Sequence, residues 1–232
     1  MQHRLAPFYF RRLRVKKSDI PVVISILKKE VKNLPLPYVT DVSIRTSDPF
    51  KVLISCILSL RTKDATTKAA SERLFKKAGT PEELASFGVK EIEKAIYPAG
   101  FYKVKARTIK NISKKLIQLY RSKVPDSIEE LLKFKGVGRK TANLVLTRGY
   151  NLPGICVDTH VHRITNRWGL IKTKSPDKTE FALRNILPKR YWIIINDLLV
   201  AYGQNICVPV SPWCSKCRIY GYCKKVGVLR MR

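Results

Sequence analysis

Apolar residues recur every three to four positions along most of this chain, which is the spacing of one face of an α-helix. Pro, Gly and the capping residues Asp, Ser and Thr separate these stretches. No stretch shows the strict alternation of an exposed strand, and residues 191–195, which could pass for a buried strand, continue with helical spacing. Helices are predicted within residues 19–27, 50–58, 65–77, 103–120, 128–134, 141–146, 158–168, 176–187 and 191–202, with short ones after Thr80 and between Gly88 and Pro98. The pattern therefore predicts an all-α fold.

Two of these segments differ in where their apolar residues lie. Residues 50–58 are apolar nearly all round, so this helix is expected at the centre of the core. Residues 103–120 instead repeat apolar residues between basic ones, which predicts a helix. The apolar residues of this repeat are Val104, Ile109, Ile112, Leu116 and Leu119.

A glycine-rich turn joins two of the predicted helices: Gly136 and Gly138 flank Val137. A turn this tight needs residues without a Cβ, and it leaves the N–H groups at the start of the second helix without helical partners. Those groups, the positive end of the helix dipole, Arg139 and Lys140 together form a seat for a phosphate. The turn is therefore predicted to be a helix–hairpin–helix motif that contacts DNA. The alternative is an interhelical turn that binds nothing.

Charge narrows the class of partner. The 232 residues contain 46 Lys and Arg against 17 Asp and Glu, a formal net charge of +29. Such an excess favours a polyanionic partner. A membrane surface is the rival, but the longest uncharged apolar run, 52–60, falls far short of the roughly 20 residues of a spanning helix. Nucleic acid is therefore the predicted partner, and no membrane association is expected.

The N-terminal residues are basic and contain no acid before Asp19; the basic residues are Arg4, Arg11, Arg12, Arg14, Lys16 and Lys17. Such a segment weakly resembles a mitochondrial transit segment, but Ser is absent until Ser18. A basic arm that lies along a phosphate backbone is the favoured interpretation.

Four of the six cysteines follow the pattern C-x6-C-x2-C-x5-C; they are Cys207, Cys214, Cys217 and Cys223. Clustered cysteines in a basic chain with no evident signal segment argue for metal binding rather than disulfides. The set could enclose a tetrahedral Zn²⁺ or a cubane iron–sulfur cluster, and the wide outer spacings favour the larger cluster. Cys56 and Cys156 stand apart in apolar surroundings and are predicted to be core residues.

Taken together, these motifs resemble the endonuclease III family of base excision DNA glycosylases, within the helix–hairpin–helix glycosylase superfamily. The hairpin alone is common in DNA-binding proteins, whereas the hairpin lysine, the downstream aspartate segment and the cysteine spacing together are highly specific. The resemblance covers about residues 34–224 in unbroken order. It is carried by residues 58–64 (LSLRTKD), 100–106 (GFYKVKA), 134–146 (FKGVGRKTANLVL), 157–163 (VDTHVHR) and the four clustered cysteines.

The resemblance implies an all-α protein of two helical lobes with a DNA groove between them. Residues 1–40 would pack with the C-terminal lobe, 41–152 would form a six-helix barrel that ends in the hairpin, and 153–232 would form the C-terminal lobe. That lobe would hold a [4Fe-4S] cluster on the four clustered cysteines. A monomer that acts on damaged double-stranded DNA is expected, in the cytoplasm or nucleoid of a prokaryote or in the nucleus or mitochondria of a eukaryote.

The resemblance also implies the roles of individual residues. Lys140 falls on the family's nucleophilic lysine and Asp158 on its catalytic aspartate. The alternatives are a phosphate-binding lysine for Lys140 and a simple N-cap for Asp158. Arg61 and Phe101 fall on residues that enter the base stack once the damaged nucleotide is flipped out. The family often has Gln at the position of Arg61, which leaves the recognition of the opposite base open, and ordinary packing under a loop is the alternative for Phe101. His160 would line the pocket, or serve as a capping or packed histidine.

The residue types support the same chemistry. Breaking an N-glycosidic bond builds positive charge on the sugar, and a carboxylate such as that of Asp158 stabilises it. A neutral Lys140 amine that attacks C1′ expels the base and forms a Schiff base, which permits β-elimination of the 3′ phosphate. Desolvation, Arg139 and the helix N-terminus are expected to favour the neutral amine.

The predicted function is thus a bifunctional DNA glycosylase and AP lyase that acts on oxidised pyrimidines. One alternative is a glycosylase for mismatched or oxidised purines. Another is a non-catalytic helix–hairpin–helix module that only binds DNA.

Overall fold

The computed structural model describes residues 14–232, and every regular element within that range is helical. The α-helices are α1 (Ile20–Val31), α2 (Tyr38–Thr46), α3 (Pro49–Ser59), α4 (Asp64–Phe75), α5 (Pro81–Ser86), α6 (Val89–Ile96), α7 (Tyr102–Tyr120), α8 (Ile128–Leu132), α9 (Arg139–Gly149), α10 (Thr159–Arg167), α11 (Pro176–Ile186) and α12 (Ile195–Asn205). Short 3-10 helices cover Lys17–Asp19, Lys189–Tyr191, Cys214–Lys216 and Tyr220–Tyr222. The prediction of an all-α fold is confirmed. Arg4, Arg11 and Arg12 of the basic arm lie outside the described residues.

The chain divides into two compact units. The hairpin unit comprises Pro35–Asp158 and Pro188–Asp197, and the terminal unit comprises Thr159–Leu187, Leu198–Arg232 and the described part of Met1–Leu34. Residues 153–158 and 188–197, expected in a C-terminal lobe, therefore belong with the hairpin, and so do residues 35–40, which were expected to pack with that lobe.

A largely buried ion pair explains why the stretch 188–197 joins the hairpin unit. Arg148 Nη2 of α9 lies 2.5 Å from Asp197 Oδ2, and it also donates to Ile193 O at 3.0 Å. Nearby, Asn196 Nδ2 donates to Cys156 O at 3.2 Å. The sequence pattern gives no sign of these contacts, because their partners lie far apart along the chain.

Helix α3 forms the centre of the hairpin unit. The Asp48 carboxylate caps it by accepting from Phe50 N at 2.8 Å and Lys51 N at 3.3 Å. All residues from Val52 to Leu58 are buried, and α3 packs against α2, α4, α7 and α9. The prediction that this helix is central is confirmed. Around it, α5 and α6 pack on α7, and α8 packs on α9.

Two features of the helices in this unit were not predicted from the sequence pattern. Val104 and Leu119 of α7 are 54% and 68% exposed, because the buried face runs instead through Lys105, Ile109 and residues further along the helix. Helix α2 was not predicted at all. It forms in a short stretch between prolines because Tyr38, Val39, Thr40 and Val42 are buried.

The terminal unit carries the cysteine loop. Helix α1 buries Ile20, Val23, Ile24 and Leu27, and α10 packs on α11. Val15 N donates to Trp168 O at 3.1 Å, which fixes the segment before α1 beside the end of α10. Among the described residues, no helix combines the length and hydropathy needed to cross a bilayer.

Candidate active site and DNA-binding surface

The hairpin turn between α8 and α9 needs glycine at one position only. Gly136 has φ +91°, and an added Cβ would lie 2.9 Å from Thr108 Cγ2. Gly138, the N-cap of α9, has φ −99°, and an added Cβ there would meet no protein atom within 4 Å. The expectation that the turn itself requires both glycines was therefore wrong for Gly138. Because Gly138 has no side chain and an added Cβ would meet no protein atom, the start of α9 is accessible to a group from outside the protein.

The residue between the two glycines anchors the turn. Val137 is buried in the core of the hairpin unit, and its N–H donates to Phe134 O at 3.0 Å. Any contact between Val137 and DNA would therefore come from its main chain. Arg139 is half-buried and Lys140 exposed, and the two begin α9.

Lys140 and Asp158 lie in the same part of the hairpin unit. Asp158 is half-buried and follows the buried stretch 155–157. The buried thiol of Cys156 lies near both charges: burial raises the pKa of this thiol, Lys140 lowers it, and Asp158 raises it further. Cys156 Sγ also donates to Lys140 O at 3.6 Å. The side chain of Lys140 itself is exposed, so the expected desolvation of its amine is not supplied by the protein alone.

A second thiol lies near Lys140. Cys56 of α3 is buried, and burial raises its pKa to about 12, against a smaller lowering by Lys140. Cys56 and Cys156 are 1% exposed each. The prediction that both are core residues is confirmed, and both remain protonated thiols at neutral pH.

Arg61 and Phe101 stand together on two neighbouring loops. Phe101 is 61% exposed, which is not the environment of a side chain packed under a loop. The Arg61 guanidinium lies 5.5 Å from the centroid of the Phe101 ring. Both residues have left-handed backbones, with φ 51° and 57°. The loops thus present an arginine and an aromatic ring as one exposed pair.

His160 has the surroundings of a packed histidine in the terminal unit. Its Nδ1 lies 3.1 Å from Arg163 Nη2. The same Nη2 donates to Gly203 O at 3.2 Å and to Cys207 O at 2.9 Å. The ring lies so close to Gly203 that an added Cβ there would be 2.4 Å from Nδ1.

The four clustered cysteines line one pocket, together with apolar walls from Trp168, Ile206 and Ile219. Three donors point at sulfur: Tyr202 OH to Cys217 Sγ at 3.1 Å, Arg167 Nη1 to Cys207 Sγ at 3.4 Å and Lys225 N to Cys223 Sγ at 3.3 Å. All four cysteines are free of disulfides. Over residues 14–232, no three His, Cys, Asp or Glu side chains are arranged to hold a single metal ion. Four thiols with polar donors and apolar walls fit an iron–sulfur cluster, in which each iron takes one thiolate.

Comparison with known proteins identifies the family. The model of the HhH-GPD superfamily of base excision DNA repair proteins matches residues 54–189. Endonuclease III of Thermotoga maritima is 47% identical over 180 residues, which are 78% of this chain and 84% of that protein. The chain belongs to the endonuclease III family. As a member, it is a DNA N-glycosylase and AP lyase of base excision repair.

Other relatives agree with this assignment. Endonuclease III homolog 2 of Arabidopsis thaliana is 45% identical over a stretch that covers 75% of this chain and 47% of that protein. The solved structure of a non-covalent endonuclease III–DNA complex matches with a TM-score of 0.81 at 32% identity, over 90% of this chain and 95% of the other. The family assignment and the match to a DNA complex support DNA as the partner.

In this endonuclease III family member, sequence patterns alone missed one residue beside the candidate site. Lys105 is one of the basic residues that recur between the apolar residues of α7, yet it is 5% exposed. One signal could have revealed it, because position 105 lies four residues before the buried Ile109 and hence on the same helix face.

Proposed function

We propose that this enzyme removes oxidised pyrimidines from damaged double-stranded DNA and nicks the strand at the resulting abasic site through an imine on Lys140. What supports the proposal is an exposed lysine in the first turn of α9, two residues after the N-cap Gly138, with Asp158 in the same part of the hairpin unit. That arrangement combines a nucleophile, a carboxylate and an anion-binding helix start.

The DNA strand would be held at the hairpin. The main-chain N–H groups around Gly136, Val137 and Gly138 and the positive end of α9 suit a phosphate. Arg139 would add a cationic contact. Because such contacts go to the backbone rather than to base edges, they position the strand and carry no sequence preference.

The chemistry would then proceed at C1′ of the flipped nucleotide. The neutral amine of Lys140 attacks C1′, the N-glycosidic bond breaks, and its electron pair leaves with the base. Asp158 stabilises the positive charge that builds on the sugar and takes up a proton from the attacking amine. The nitrogen lone pair then forms the C1′=N bond of a protonated imine while the C1′–O4′ bond of the sugar ring breaks, and O4′ takes the proton held by Asp158. The imine acidifies the C2′ proton. Loss of that proton breaks the C3′–O bond and releases the 3′ phosphate. Since Lys140 is exposed in the DNA-free protein, bound DNA would have to provide the desolvation that favours the neutral amine.

The damaged nucleotide must leave the stack before this step. Arg61 and Phe101 are exposed and adjacent, with the guanidinium above the ring, so they suit the space that the flipped base vacates. His160 packs against Gly203 and Arg163, and we assign it a structural role.

A [4Fe-4S] cluster would be held by Cys207, Cys214, Cys217 and Cys223. When bound, it would cross-link the cysteine loop, and no step of base excision passes through it. A single chain supplies every residue that the mechanism uses, so a monomer is the proposed active unit.

Borohydride trapping tests the proposal. A duplex that carries one thymine glycol is incubated with wild type, Lys140→Ala and Asp158→Asn under borohydride, which reduces an imine to a stable covalent adduct. The matched control is Lys135→Ala, which removes an exposed lysine from the same hairpin. We expect an adduct with wild type and Lys135→Ala, none with Lys140→Ala, and slower adduct formation with Asp158→Asn.

Base excision without an adduct would make the enzyme monofunctional and refute the role of Lys140. Parallel duplexes with a mismatched adenine or an oxidised guanine test the lesion class. Faster excision of either purine-type substrate than of thymine glycol would replace oxidised pyrimidines in the proposal.

A further inference from the structure

Lys105 places a charged amine inside the hairpin unit. Its Nζ donates to Leu58 O at 2.7 Å, to Leu60 O at 2.6 Å and to Thr62 Oγ1 at 2.7 Å. A lysine ammonium has three N–H donors, and all three are used here. The two carbonyls belong to the end of α3, where helix carbonyls lack intrahelical partners and carry partial negative charge. Lys105 is therefore fully engaged within the protein and is not one more phosphate-binding lysine.

The hydroxyl of Thr62 extends this contact to a second loop. Thr62 Oγ1 accepts from Lys105 Nζ and also from Gly100 N at 3.1 Å. Gly100 approaches the first loop so closely that an added Cβ would lie 2.5 Å from Arg61 O. The amine of Lys105, through Thr62, thus joins the loop between α3 and α4 to the loop between α6 and α7.

Each of these loops presents one member of the exposed pair, Arg61 on the first and Phe101 on the second. Their left-handed backbones, with φ 51° and 57°, are costly for residues other than glycine and persist where the surroundings fix them. Lys105 and Thr62 supply that fixation for Arg61, and the hydrogen bond of Gly100 supplies it for Phe101. A guanidinium stacked on an aromatic ring offers a flat, cationic surface suited to a neighbouring nucleobase.

We propose that Lys105 is a positioning residue that holds Arg61 and Phe101 together as one rigid two-part wedge for the DNA base stack. This role rests on the proposed function, because a wedge is needed only by an enzyme that flips nucleotides out of duplex DNA. The amine of Lys105 donates to protein oxygens. It acts through Thr62 and the carbonyls at the end of α3.

The key variant is Lys105→Met, which keeps the length of the side chain and removes its donors. The matched control is Lys103→Met, which removes an exposed lysine from the same helix and so controls for the loss of one charge. Thr62→Val provides a second, milder variant, because it removes the oxygen that connects the two loops while Lys105 keeps its two carbonyl acceptors.

Two substrates distinguish a positioning role of Lys105 from a general loss of enzyme activity. Excision of thymine glycol from a duplex requires the wedge, whereas borohydride trapping at an abasic site in single-stranded DNA does not. We expect Lys105→Met to slow duplex excision by about tenfold or more, since small misplacements have effects of this size. Single-strand trapping should stay within about twofold of wild type. Lys103→Met should affect both substrates alike.

A fluorescence measurement gives a readout independent of catalysis. In a duplex with 2-aminopurine opposite a stable abasic analogue, entry of the wedge unstacks the 2-aminopurine and raises its emission. At saturating protein we expect a large rise with wild type and Lys103→Met, a small rise with Lys105→Met and an intermediate rise with Thr62→Val.

The outcomes separate the two proposals. The role of Lys105 would be overturned if Lys105→Met gave as large a rise in fluorescence as wild type, or if it lost activity equally on both substrates. No rise with wild type would overturn the wedge. If wild type forms no adduct on either substrate, the proposed function fails, while the fluorescence series still decides whether Lys105 positions the loops.

Discussion

The hairpin glycines allow the fold and the DNA contact to be perturbed separately. In Gly136→Ala, the alanine must adopt a left-handed φ of +91°, which costs roughly 1–2 kcal/mol. Its Cβ would also sit 2.9 Å from Thr108 Cγ2, and displacing that methyl group adds about 1 kcal/mol. We therefore expect Gly136→Ala to lower the free energy of unfolding by about 2–3 kcal/mol.

The control is Gly138→Ala in the same turn. Its φ is ordinary and its Cβ would meet no protein atom within 4 Å. Alanine is a poorer N-cap than glycine but reduces the entropy of the unfolded chain, and the two effects offset each other to within about 0.5 kcal/mol. If a phosphate sits against this position, the added methyl group should lower DNA affinity about tenfold, or about 1.4 kcal/mol.

Two assays at fixed salt concentration measure these effects. Urea unfolding followed by circular dichroism gives the stability, and fluorescence anisotropy of a labelled abasic-analogue duplex gives the affinity. Thr108→Ser in the Gly136→Ala background removes the clashing methyl group and should recover about 1 kcal/mol. The reasoning is refuted if Gly138→Ala is the less stable variant, or if it binds DNA as tightly as wild type.

Further predictions concern the buried charges, the wedge and the cysteine loop. Arg148→Met leaves the Asp197 carboxylate, whose pKa burial raises, without its partner; urea unfolding should show a loss of about 3–5 kcal/mol, much of it recovered by adding Asp197→Asn. Burial lowers the pKa of Lys105 to about 8, from 10.5. Between pH values of about 8 and 10.5, the unfolded chain binds one more proton than the folded chain. The free energy of unfolding of wild type, compared with that of Lys105→Met, should therefore rise with pH over this range when unfolding is measured at a series of pH values. A difference between the two proteins that does not change with pH would contradict this. Phe101→Ala removes a mostly exposed ring, so stability should change by less than about 0.5 kcal/mol while single-turnover gel assays show slower duplex excision. Cys214→Ala should lower the iron bound per chain in a colorimetric assay, and iron content equal to wild type would exclude this cysteine as a ligand.

Features set by local pattern were predictable from the sequence. The apolar run 50–58 and the Asp48–Pro49 cap are both local, and they form the central helix α3. Thr80 and Glu83 likewise form the capping box that starts α5. The hairpin turn was predicted because its glycines and the helices on each side are adjacent in the chain.

Features that depend on distant contacts could not be predicted in this way. Helix α2 is stable because of residues it buries in the core rather than because of its own pattern. The amine of Lys105 lies inside the protein because backbone carbonyls more than forty residues earlier in the chain accept hydrogen bonds from it. Sequence reasoning also assigned both hairpin glycines to the turn, whereas the space around Gly138 becomes visible only once the neighbouring helices are in place.

The buried thiols beside Lys140 have a consequence for which group can react with an abasic sugar. A thiolate is a strong nucleophile toward aldehydes and would compete with an amine for the same carbon. Burial holds Cys56 and Cys156 in the thiol form, with the pKa of Cys56 at about 12 and that of Cys156 raised as well. In the proposed mechanism, neither thiol would therefore form a hemithioacetal that diverts the sugar from imine formation on Lys140. The tight packing around α3 would thus favour the amine as the nucleophile, in addition to stabilising the core.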